Sequence, residues 1–377
     1  MKTYTKTNME GRMKNRMRTR SQGSFSVAAV FAAVLLFALL TACSAITDET
    51  FGSTNVEHSG FTVYFIDVGQ ADSALIVCDG AAMLIDGGNV DDSSLIYSFL
   101  QSHGIEHLDY IVATHAHEDH VGGLSGALRY ATAGVALCSV MEYESAAFRN
   151  FVKSLDEQEL AITIPEPGDV MTLGSAKVAV LGPVHPSDEP NNMSIVLKIT
   201  YGETSFLFTG DAERAEEADI LELYGSETGA ELSANVLKVG HHGSDTSSSY
   251  PFLREIMPEY AVISCGTDNT YGHPHEETMS RLRDADVMVY RTDMQGTVVC
   301  ISDGRELSFL VERNEDAGTN PVDRVDEAEN YYIGNVKSLK FHRPSCGGLP
   351  DEKNSIRINS RDEAIVAGYE PCGRCKP

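Results

Sequence analysis

The sequence predicts an α/β layered sandwich followed by a smaller C-terminal unit. From residue 61 to about residue 311, short runs rich in β-branched and aromatic residues end in polar or glycine-containing stretches, as strands do. Segments with helical periodicity are interspersed, and the polar clusters follow strand ends. Two β-rich halves covered by helices satisfy this pattern, and the segment is long enough to form it.

Each element can be predicted in order along the chain. The first half contains one helix, in SSLIYSFLQSHGI, and four strands, in FTVYFIDVG, ADSALIVC, AAMLIDGG and DYIVATH. The second half contains seven strands, in VAVLGPV, SIVLKITYG, SFLFTGDA, NVLKVGHHG, YAVISCG, VMVYRTD and GTVVCIS. The 377 residues are 42% hydrophobic, which is enough to bury the core of one large or two unequal domains.

The chain is strongly acidic. Its formal net charge is −26, and the first 42 residues hold seven Lys or Arg against one Glu, so the remainder carries about −32. The net negative charge of such a protein repels polyanions. A nucleic-acid partner would need a local basic groove or bound metal, because affinity for phosphate backbones comes mainly from positive charge.

Residues 1–42 are predicted to be a lipoprotein signal peptide. Seven cations precede the apolar run FSVAAVFAAVLLFALLTA, and the run ends in LLTAC, which resembles the lipobox of bacterial lipoproteins. Cys43 would then be lipidated, and residues 43–60 would form a tether. An uncleaved membrane anchor is the alternative. Both predict an extracytoplasmic body attached to the bacterial cell membrane.

The stretch THAHEDHVGG, residues 114–123, is the densest cluster of candidate ligands. His115 and His117 alternate on one face of the loop that leaves a strand, and Asp119 and His120 follow where a helix could begin. Such a set can serve two neighbouring cations, and zinc, manganese and iron accept these nitrogen and oxygen ligands. A solvated polar turn would not be expected to concentrate three histidines.

HAHEDH resembles the HxHxDH signature of the metallo-β-lactamase fold, an αββα sandwich. That resemblance implies a hydrolase domain over residues 61–311 with two divalent metals, Zn or Mn. SFLFTGDA resembles the segment with the bridging aspartate, here Asp211, and LKVGHHGS resembles the last ligand segment, which points to His241 or His242, with His241 favoured. FIDVGQADS, LIDGG, KVGHHGSDTSSS, YGHPH and YRTDMQGTV are similar to the extracellular domain of ComEC-type competence proteins.

One departure from the superfamily pattern concerns its third histidine. His185 is the only histidine between His120 and Asp211, whereas counting back from the strand SIVL places the ligand at Asn191 or Asn192. We expect Asn192 to be the ligand, with Asn191 and His185 as alternatives. An amide oxygen in place of imidazole weakens zinc binding and suits manganese better.

The resemblance implies metal-assisted hydrolysis, in which a metal pair lowers the pKa of a water near a phosphorus or carbonyl centre. Asp119 would bind one metal and orient the nucleophile. His273 in YGHPH would contact a phosphate oxygen or the leaving group, and His275 is a weaker candidate. Asp67 and Asp86 end strands near the site and are expected to fix histidine orientation.

The C-terminal region is predicted to comprise an acidic linker, residues 312–330, and a small unit, residues 331–377. The unit offers four ligands for one structural zinc: His342, Cys346, Cys372 and Cys375. AGYEPCGRC resembles the metal-binding domain of Ada-type DNA repair proteins. His342 replaces one of that domain's cysteines, which favours a structural site over methyl transfer. A disulfide with a free thiol is the alternative.

Four other cysteines stand singly in apolar runs and are expected to be buried small hydrophobes, although a disulfide between Cys265 and Cys300 remains open. They are Cys78, Cys138, Cys265 and Cys300.

The functional prediction is a surface lipoprotein that hydrolyses phosphodiesters, with DNA as a candidate substrate. One alternative is a hydrolase of a small or cell-wall phosphoester. Another is a non-catalytic lipoprotein that binds DNA or a protein partner. The chain has no P-loop, no Rossmann fingerprint and no G-x-S-x-G turn, so NTPase, dehydrogenase and serine-hydrolase chemistry are disfavoured.

Overall fold

The computed structural model describes residues 60–225, 232–320, 331–344, 346–375 and 377. The predicted signal peptide, Cys43 and all but the last residue of the predicted tether lie outside this range. Among the described residues, no helix combines the length and the apolar character needed to cross a membrane.

Nineteen strands and nine α-helices are present in the described residues. The strands are β1 Phe61–Phe65, β2 Ala74–Cys78, β3 Ala81–Ile85, β4 His107–Ala113, β5 Thr132–Cys138, β6 Ile162–Thr163, β7 Val170–Leu173, β8 Ala176–Gly182, β9 Val196–Tyr201, β10 Thr204–Phe208, β11 Val236–Lys238, β12 Tyr260–Ile263, β13 Met288–Arg291, β14 Val298–Ser302, β15 Leu307–Val311, β16 Tyr332–Asn335, β17 Lys340–His342, β18 Ser355–Ile358 and β19 Glu370–Pro371. The helices are α1 Ser93–Ser102, α2 Glu118–Val121, α3 Leu124–Tyr130, α4 Ala146–Asp156, α5 Arg214–Tyr224, α6 Tyr250–Ile256, α7 Glu276–Asp284, α8 Thr292–Gln295 and α9 Arg361–Val366.

Two large sheets form the centre of the sandwich. The first has eight strands in the order β15-β14-β1-β2-β3-β4-β5-β6, and the second has seven in the order β13-β12-β11-β10-β9-β8-β7. The alternation of FTVYF sends Phe61 and Phe65 to the inner face of the first sheet, where Phe61 lies 4.8 Å from Phe206 and Phe65 lies 5.9 Å from Phe208, measured between ring centroids. The core between the sheets is therefore aromatic and aliphatic.

Helices cover both outer faces. The outer core of the first sheet includes Ile96 from α1, Leu124 from α3 and Phe151 from α4. The second sheet packs against Ile220 of α5 and Phe252 of α6. These four layers constitute the predicted αββα sandwich, which the structure confirms.

Gly126 explains why GLSGAL follows the histidine motif. A Cβ at this position of α3 would collide with the backbone of Ser93, at the start of α1. Only glycine allows the two helices to approach this closely, so the motif serves helix packing.

The topology gathers the candidate ligands at one edge. Strands β3, β4 and β5 run parallel in the first sheet, and β10, β11 and β12 run parallel in the second. Parallel strands present their carboxyl ends at the same edge, which is where ligand sites form in such sheets. The histidine motif follows β4, and Asp211 follows β10. His241 and His242, called the paired histidines below, follow β11.

Residues 331–377, called the tail unit below, form a small sheet in the order β18-β16-β17-β19. Its core contains Tyr332, Phe341 and Ile365 together with Tyr250 from α6 of the hydrolase domain. Arg361 of α9 forms an ion pair with Asp284 of α7 and donates to Ser280 Oγ at 2.7 Å. The tail unit therefore docks on helices α6 and α7.

The first part of the predicted acidic linker is packed rather than extended. Thr319 is buried and donates to the carbonyl of Val289, and Asn320 Oδ1 accepts the N–H of that residue at 2.8 Å. The end of this segment thus packs against the edge strand β13. Composition alone could not predict this, because β13 is distant in sequence.

All seven described cysteines are free thiols, so no disulfide joins Cys265 to Cys300. Cys78, Cys138, Cys265 and Cys300 are fully buried, which confirms their prediction as small hydrophobes.

Candidate metal centre

His115 and His117, called the outer pair below, follow the end of β4, and their rings meet edge to face. His115 Nε2 lies 3.0 Å from His117 Nδ1. The Nδ1 atom of His115 is 3.3 Å from Thr114 Oγ1 and 3.4 Å from Ser194 Oγ. Two ring nitrogens this close can share one cation.

Four further side chains, called the inner cluster below, place ligand atoms within 4.8 Å of one another: Asp119, His120, Asp211 and His242. His120 Nε2 is 3.3 Å from Asp211 Oδ1, and His242 Nε2 is 3.3 Å from Asp119 Oδ2. Asp211 Oδ1, His120 Nε2 and His242 Nε2 are buried without a hydrogen-bond partner. Orphaned buried nitrogen and carboxylate atoms fit a divalent cation such as zinc or manganese.

The cluster carries enough negative charge to hold protons on its imidazoles when no cation is present. Burial lowers the pKa of His242, but Asp211 and Asp72 outweigh it and raise that pKa to about 10. Burial likewise raises the pKa of Asp119, yet the charges of His120 and His242 outweigh it and bring that pKa down to about 2. A bound cation would therefore balance the negative charge of these carboxylates.

Asp86 has the orienting role that the sequence predicts for it. Its carboxylate lies 2.8 Å from His120 Nδ1 and accepts both the N–H and the hydroxyl of Thr114 at 2.8 Å. With Nδ1 held in this way, His120 directs Nε2 toward Asp211.

Asp67 does not share that role, in contrast to the prediction. Its carboxylate pairs with Arg313 at 2.8 Å and accepts the N–H of Gly69. Asp72, five residues further on, contacts the site instead, because its Oδ1 lies 3.1 Å from His242 Nδ1. Asp72 and its partner Lys238 are not among the residues predicted for the site, although they lie in the motifs FIDVGQADS and LKVGHHGS.

The paired histidines occupy different positions around Asp211. His242 is buried in the inner cluster, so the structure places this residue, and not the favoured His241, beside Asp119, His120 and Asp211. His241 is partly exposed, and its Nε2 lies 3.6 Å from Asp211 Oδ2. Both residues have left-handed backbone, with φ near 50°, which turns the adjacent rings in different directions.

The structure places Asn192, the predicted ligand, at the start of α5. Its buried amide oxygen accepts the N–H of Glu213 at 3.1 Å and so serves the start of α5. Asn191 donates through Nδ2 to Glu213 Oε1, while its Oδ1 is buried without a partner. His185 is exposed in the preceding loop and lies in none of the described clusters of candidate ligands.

His273 lies beside the paired histidines, and its ring centroid is 5.6 Å from that of His241. Its Nδ1 contacts Gln70 Nε2 at 3.2 Å, and burial, followed by the charge of His242, lowers its pKa to about 4. His275 bonds through both nitrogens, to Asp245 and to the carbonyl of Tyr271. His273 is therefore the better placed of the two to meet a substrate.

The tail unit brings its four predicted ligands together. His342, Cys346, Cys372 and Cys375 place their ligand atoms within 4.8 Å of one another. His342 Nδ1 is buried without a hydrogen-bond partner. Burial raises the pKa of the Cys372 thiol, but hydrogen bonds from neighbouring groups outweigh it and lower that pKa. One imidazole and three thiols in this arrangement suit a tetrahedral zinc.

Comparison with known families agrees with this geometry. Residues 66–267, just over half of the chain, match the family model of the metallo-beta-lactamase superfamily. The chain belongs to that superfamily. As a metallo-β-lactamase protein it has the fold of metal-dependent hydrolases, and its residues 322–377 match the metal binding domain of Ada.

The relatives of this metallo-β-lactamase protein include competence proteins. It is 30% identical to ComE operon protein 3 of Bacillus subtilis over 255 residues, which cover 63% of this chain and 32% of that protein. It is 31% identical to competence protein ComA of Neisseria gonorrhoeae over 234 residues, which cover 62% of this chain and 31% of that protein. The match spans about a third of the length of these relatives.

Among solved structures, the chain is similar to the metallo-beta-lactamase fold protein YhfI of Bacillus subtilis, with 13% identity and a TM-score of 0.40. That match covers 66% of this chain and 99% of YhfI.

Proposed function

We propose that this protein is a metal-dependent phosphodiesterase held at the outer face of the bacterial membrane by a lipid on Cys43. The observation that carries the proposal is the position of Asp211, whose two oxygens face His120, His242, His241 and His115 at 3.3–4.0 Å. A carboxylate surrounded by imidazoles on both sides suits a pair of cations. Such a pair, once bound, activates water and neutralises charge on a phosphoryl group.

The chain's own residues would divide the remaining work. His115, His117, Asp119, His120, Asp211 and the paired histidines would hold the cations. Asp119, whose side chain is one-third exposed at the rim of the inner cluster, would orient the attacking water. His273 would contact a phosphate oxygen or the leaving group, and Gln70, bonded to its Nδ1, would fix the ring.

Two candidate substrate classes follow from different observations. The similarity to competence proteins favours a phosphodiester of DNA. The net charge of −26 favours a small or cell-wall phosphoester instead, since an acidic body repels nucleic acid.

The test is turnover of bis-p-nitrophenyl phosphate and of labelled single-stranded DNA by the full-length protein, loaded with manganese or zinc. We expect hydrolysis of the small diester, and we expect Asp211→Ala to reduce its rate by at least ~10³-fold. His185→Ala, which removes an exposed side chain, is the matched control and should retain full activity. No turnover by the metal-loaded wild type would refute the phosphodiesterase and favour a binding lipoprotein.

A further inference from the structure

His273 has two candidate roles beside the metal centre: a hydrogen-bond donor to a phosphoryl oxygen, or a proton donor to the leaving group. We propose that Gln70 decides between them, because its amide fixes the His273 tautomer that has a lone pair on Nδ1 and its proton on Nε2. His273 then donates a hydrogen bond to a phosphoryl oxygen. The substrate contact rests on the proposed function, whereas the tautomer is a property of the protein itself.

The orientation of the Gln70 amide is set by a backbone donor. Gln70 Oε1 accepts the N–H of Gly266 at 3.0 Å. Because a backbone N–H can only donate, the amide oxygen must face Gly266, and the NH2 group must face the other neighbour. Only glycine allows this approach, since a Cβ at Gly266 would lie 2.7 Å from the backbone nitrogen of Gln70.

The NH2 group of the amide faces His273. Gln70 Nε2 lies 3.2 Å from His273 Nδ1. This NH2 group offers donors and no acceptor, so Nδ1 must present its lone pair, and a proton on Nδ1 would set two donors against each other. The ring proton therefore resides on Nε2. Each group in the series donates to the next, from Gly266 through Gln70 to His273.

The position of His273 is fixed as well as its tautomer. Asn269 accepts the N–H of His273 at 2.9 Å and donates to the carbonyls of Gly266 and His273 at 2.9 and 2.6 Å. The His273 ring stacks on those of Tyr271 and His242, with centroids 5.6 and 6.3 Å away. Among the described residues, Nε2 of His273 has no hydrogen-bond partner. This N–H is therefore available to a substrate beside the inner cluster.

A ring in this tautomer stabilises negative charge while it keeps its proton. During hydrolysis a water oxygen bonds to phosphorus and loses one proton to solvent. The bond from phosphorus to the leaving oxygen breaks with its electron pair, and that oxygen takes up a proton from solvent. Proton transfer from His273 would need protons on both ring nitrogens beforehand, and the donor on Gln70 opposes that state. The assigned role is therefore electrostatic, as for the donors of an oxyanion hole.

The first test observes the tautomer by NMR. Long-range proton–nitrogen spectra are recorded on the full-length, zinc-loaded protein with isotope-labelled histidine, and the His273 ring signals are identified by their absence from His273→Ala. We expect Nδ1 to have the chemical shift of an unprotonated nitrogen and Nε2 that of an N–H. Gln70→Glu is isosteric and keeps the acceptor for Gly266, but it offers His273 an acceptor in place of a donor. It should move the proton onto Nδ1.

The second test compares the hydrolysis of methyl p-nitrophenyl phosphate and methyl phenyl phosphate, whose leaving groups differ in acidity. His273→Ala should lower kcat for both esters by a similar factor of at least ~10, because the lost donor acts on a phosphoryl oxygen. A proton donor would matter far more for the phenyl ester, since phenol is the poorer leaving group.

The Gln70 variants separate control of the tautomer from packing. Gln70→Glu should lower kcat at least ~10-fold at wild-type metal content. Gln70→Ala should retain more activity than Gln70→Glu, because a ring without a partner on Nδ1 can still carry its proton on Nε2. Gln101→Glu, the same change at an exposed position of α1, is the matched control and should keep the wild-type rate.

A proton on Nδ1 of His273 in the wild type would overturn the inference. So would a loss in His273→Ala that is more than ~10-fold larger for the phenyl ester, which would assign proton donation instead. Gln70→Ala losing more activity than Gln70→Glu would reduce Gln70 to a packing residue. If the wild type hydrolyses neither ester, the proposed function fails, and the NMR spectra still decide whether Gln70 fixes the tautomer.

Discussion

Lys238 Nζ donates to Asp72 Oδ2 at 2.8 Å, and both side chains are almost completely buried. The other oxygen of Asp72 lies 3.1 Å from His242 Nδ1. A buried lysine thus neutralises a carboxylate beside the His242 imidazole, whose Nδ1 also lies 3.1 Å from the carbonyl oxygen of Ser264. Burial raises the pKa of Asp72, but Lys238 and His242 outweigh it and keep the carboxyl ionised.

Asp72→Asn should weaken metal binding by the inner cluster about 10- to 100-fold, because the imidazole of His242 loses the negative charge beside its Nδ1. Competition titration of the metal-free protein with a chromophoric chelator measures this affinity. Asp67→Asn is the matched control, since Asp67 lies in the same sequence motif but pairs with Arg313. Equal affinities in the two variants would contradict the role given to Asp72.

Glu216→Gln should make stability less dependent on pH. Glu216 is 2% exposed, and burial raises its pKa from 4.5 to about 7. The folded protein therefore holds this proton more tightly than the unfolded chain does. The contribution of this bound proton to the free energy of unfolding is fully present below pH 4.5 and is lost as the pH rises through about 7.

The amide introduced by Glu216→Gln would keep the acceptor that Val184 N–H uses at 2.8 Å without carrying a charge. At pH 8 the variant should be more stable than the wild type by about 1–3 kcal/mol, with little difference at about pH 4.5. Urea unfolding at the two pH values measures this. Glu222→Gln, an exposed change on the same helix, should alter stability by less than about 0.5 kcal/mol.

Removing the tail zinc should loosen helix α6 as well as the tail unit, because Tyr250 belongs to the core of that unit. In Cys372→Ser we expect one zinc fewer per chain. Amide exchange in residues 331–377 and 250–256 should be at least ~10-fold faster, measured by mass spectrometry. Residues 196–208 in the central sheet should be unchanged. Accelerated exchange confined to the tail unit would mean that its docking does not stabilise α6.

Cys43→Ser should release the protein from the membrane fraction and abolish incorporation of labelled palmitate, if the predicted lipobox is used. Because lipidation at one cysteine provides the anchor, the loss should be nearly complete. Cys138→Ala, which alters a buried thiol in the body, should remain with the membrane. Persistent membrane association of Cys43→Ser would favour an uncleaved apolar anchor.

Much of the fold could be predicted because its signals are local. Alternation in FTVYF places Phe61 and Phe65 on the inner face, and the helical spacing of SSLIYSFLQS buries Ile96 and Leu100. Packing of residues 312–320 against β13 could not be predicted in this way. Their composition is that of a linker, whereas in the structure Thr319 and Asn320 bond to Val289 of β13.

By itself, the sequence determined which ligand types this protein carries and that they follow strand ends, because ligand chemistry and strand periodicity are properties of neighbouring residues. The tertiary structure alone decided that His242 enters the inner cluster, that Asp72 rather than Asp67 supports it, and that Asn192 serves a helix start. These outcomes depend on left-handed backbone at the paired histidines and on contacts between two sheets. Such contacts join residues far apart in the chain, so no local pattern encodes them.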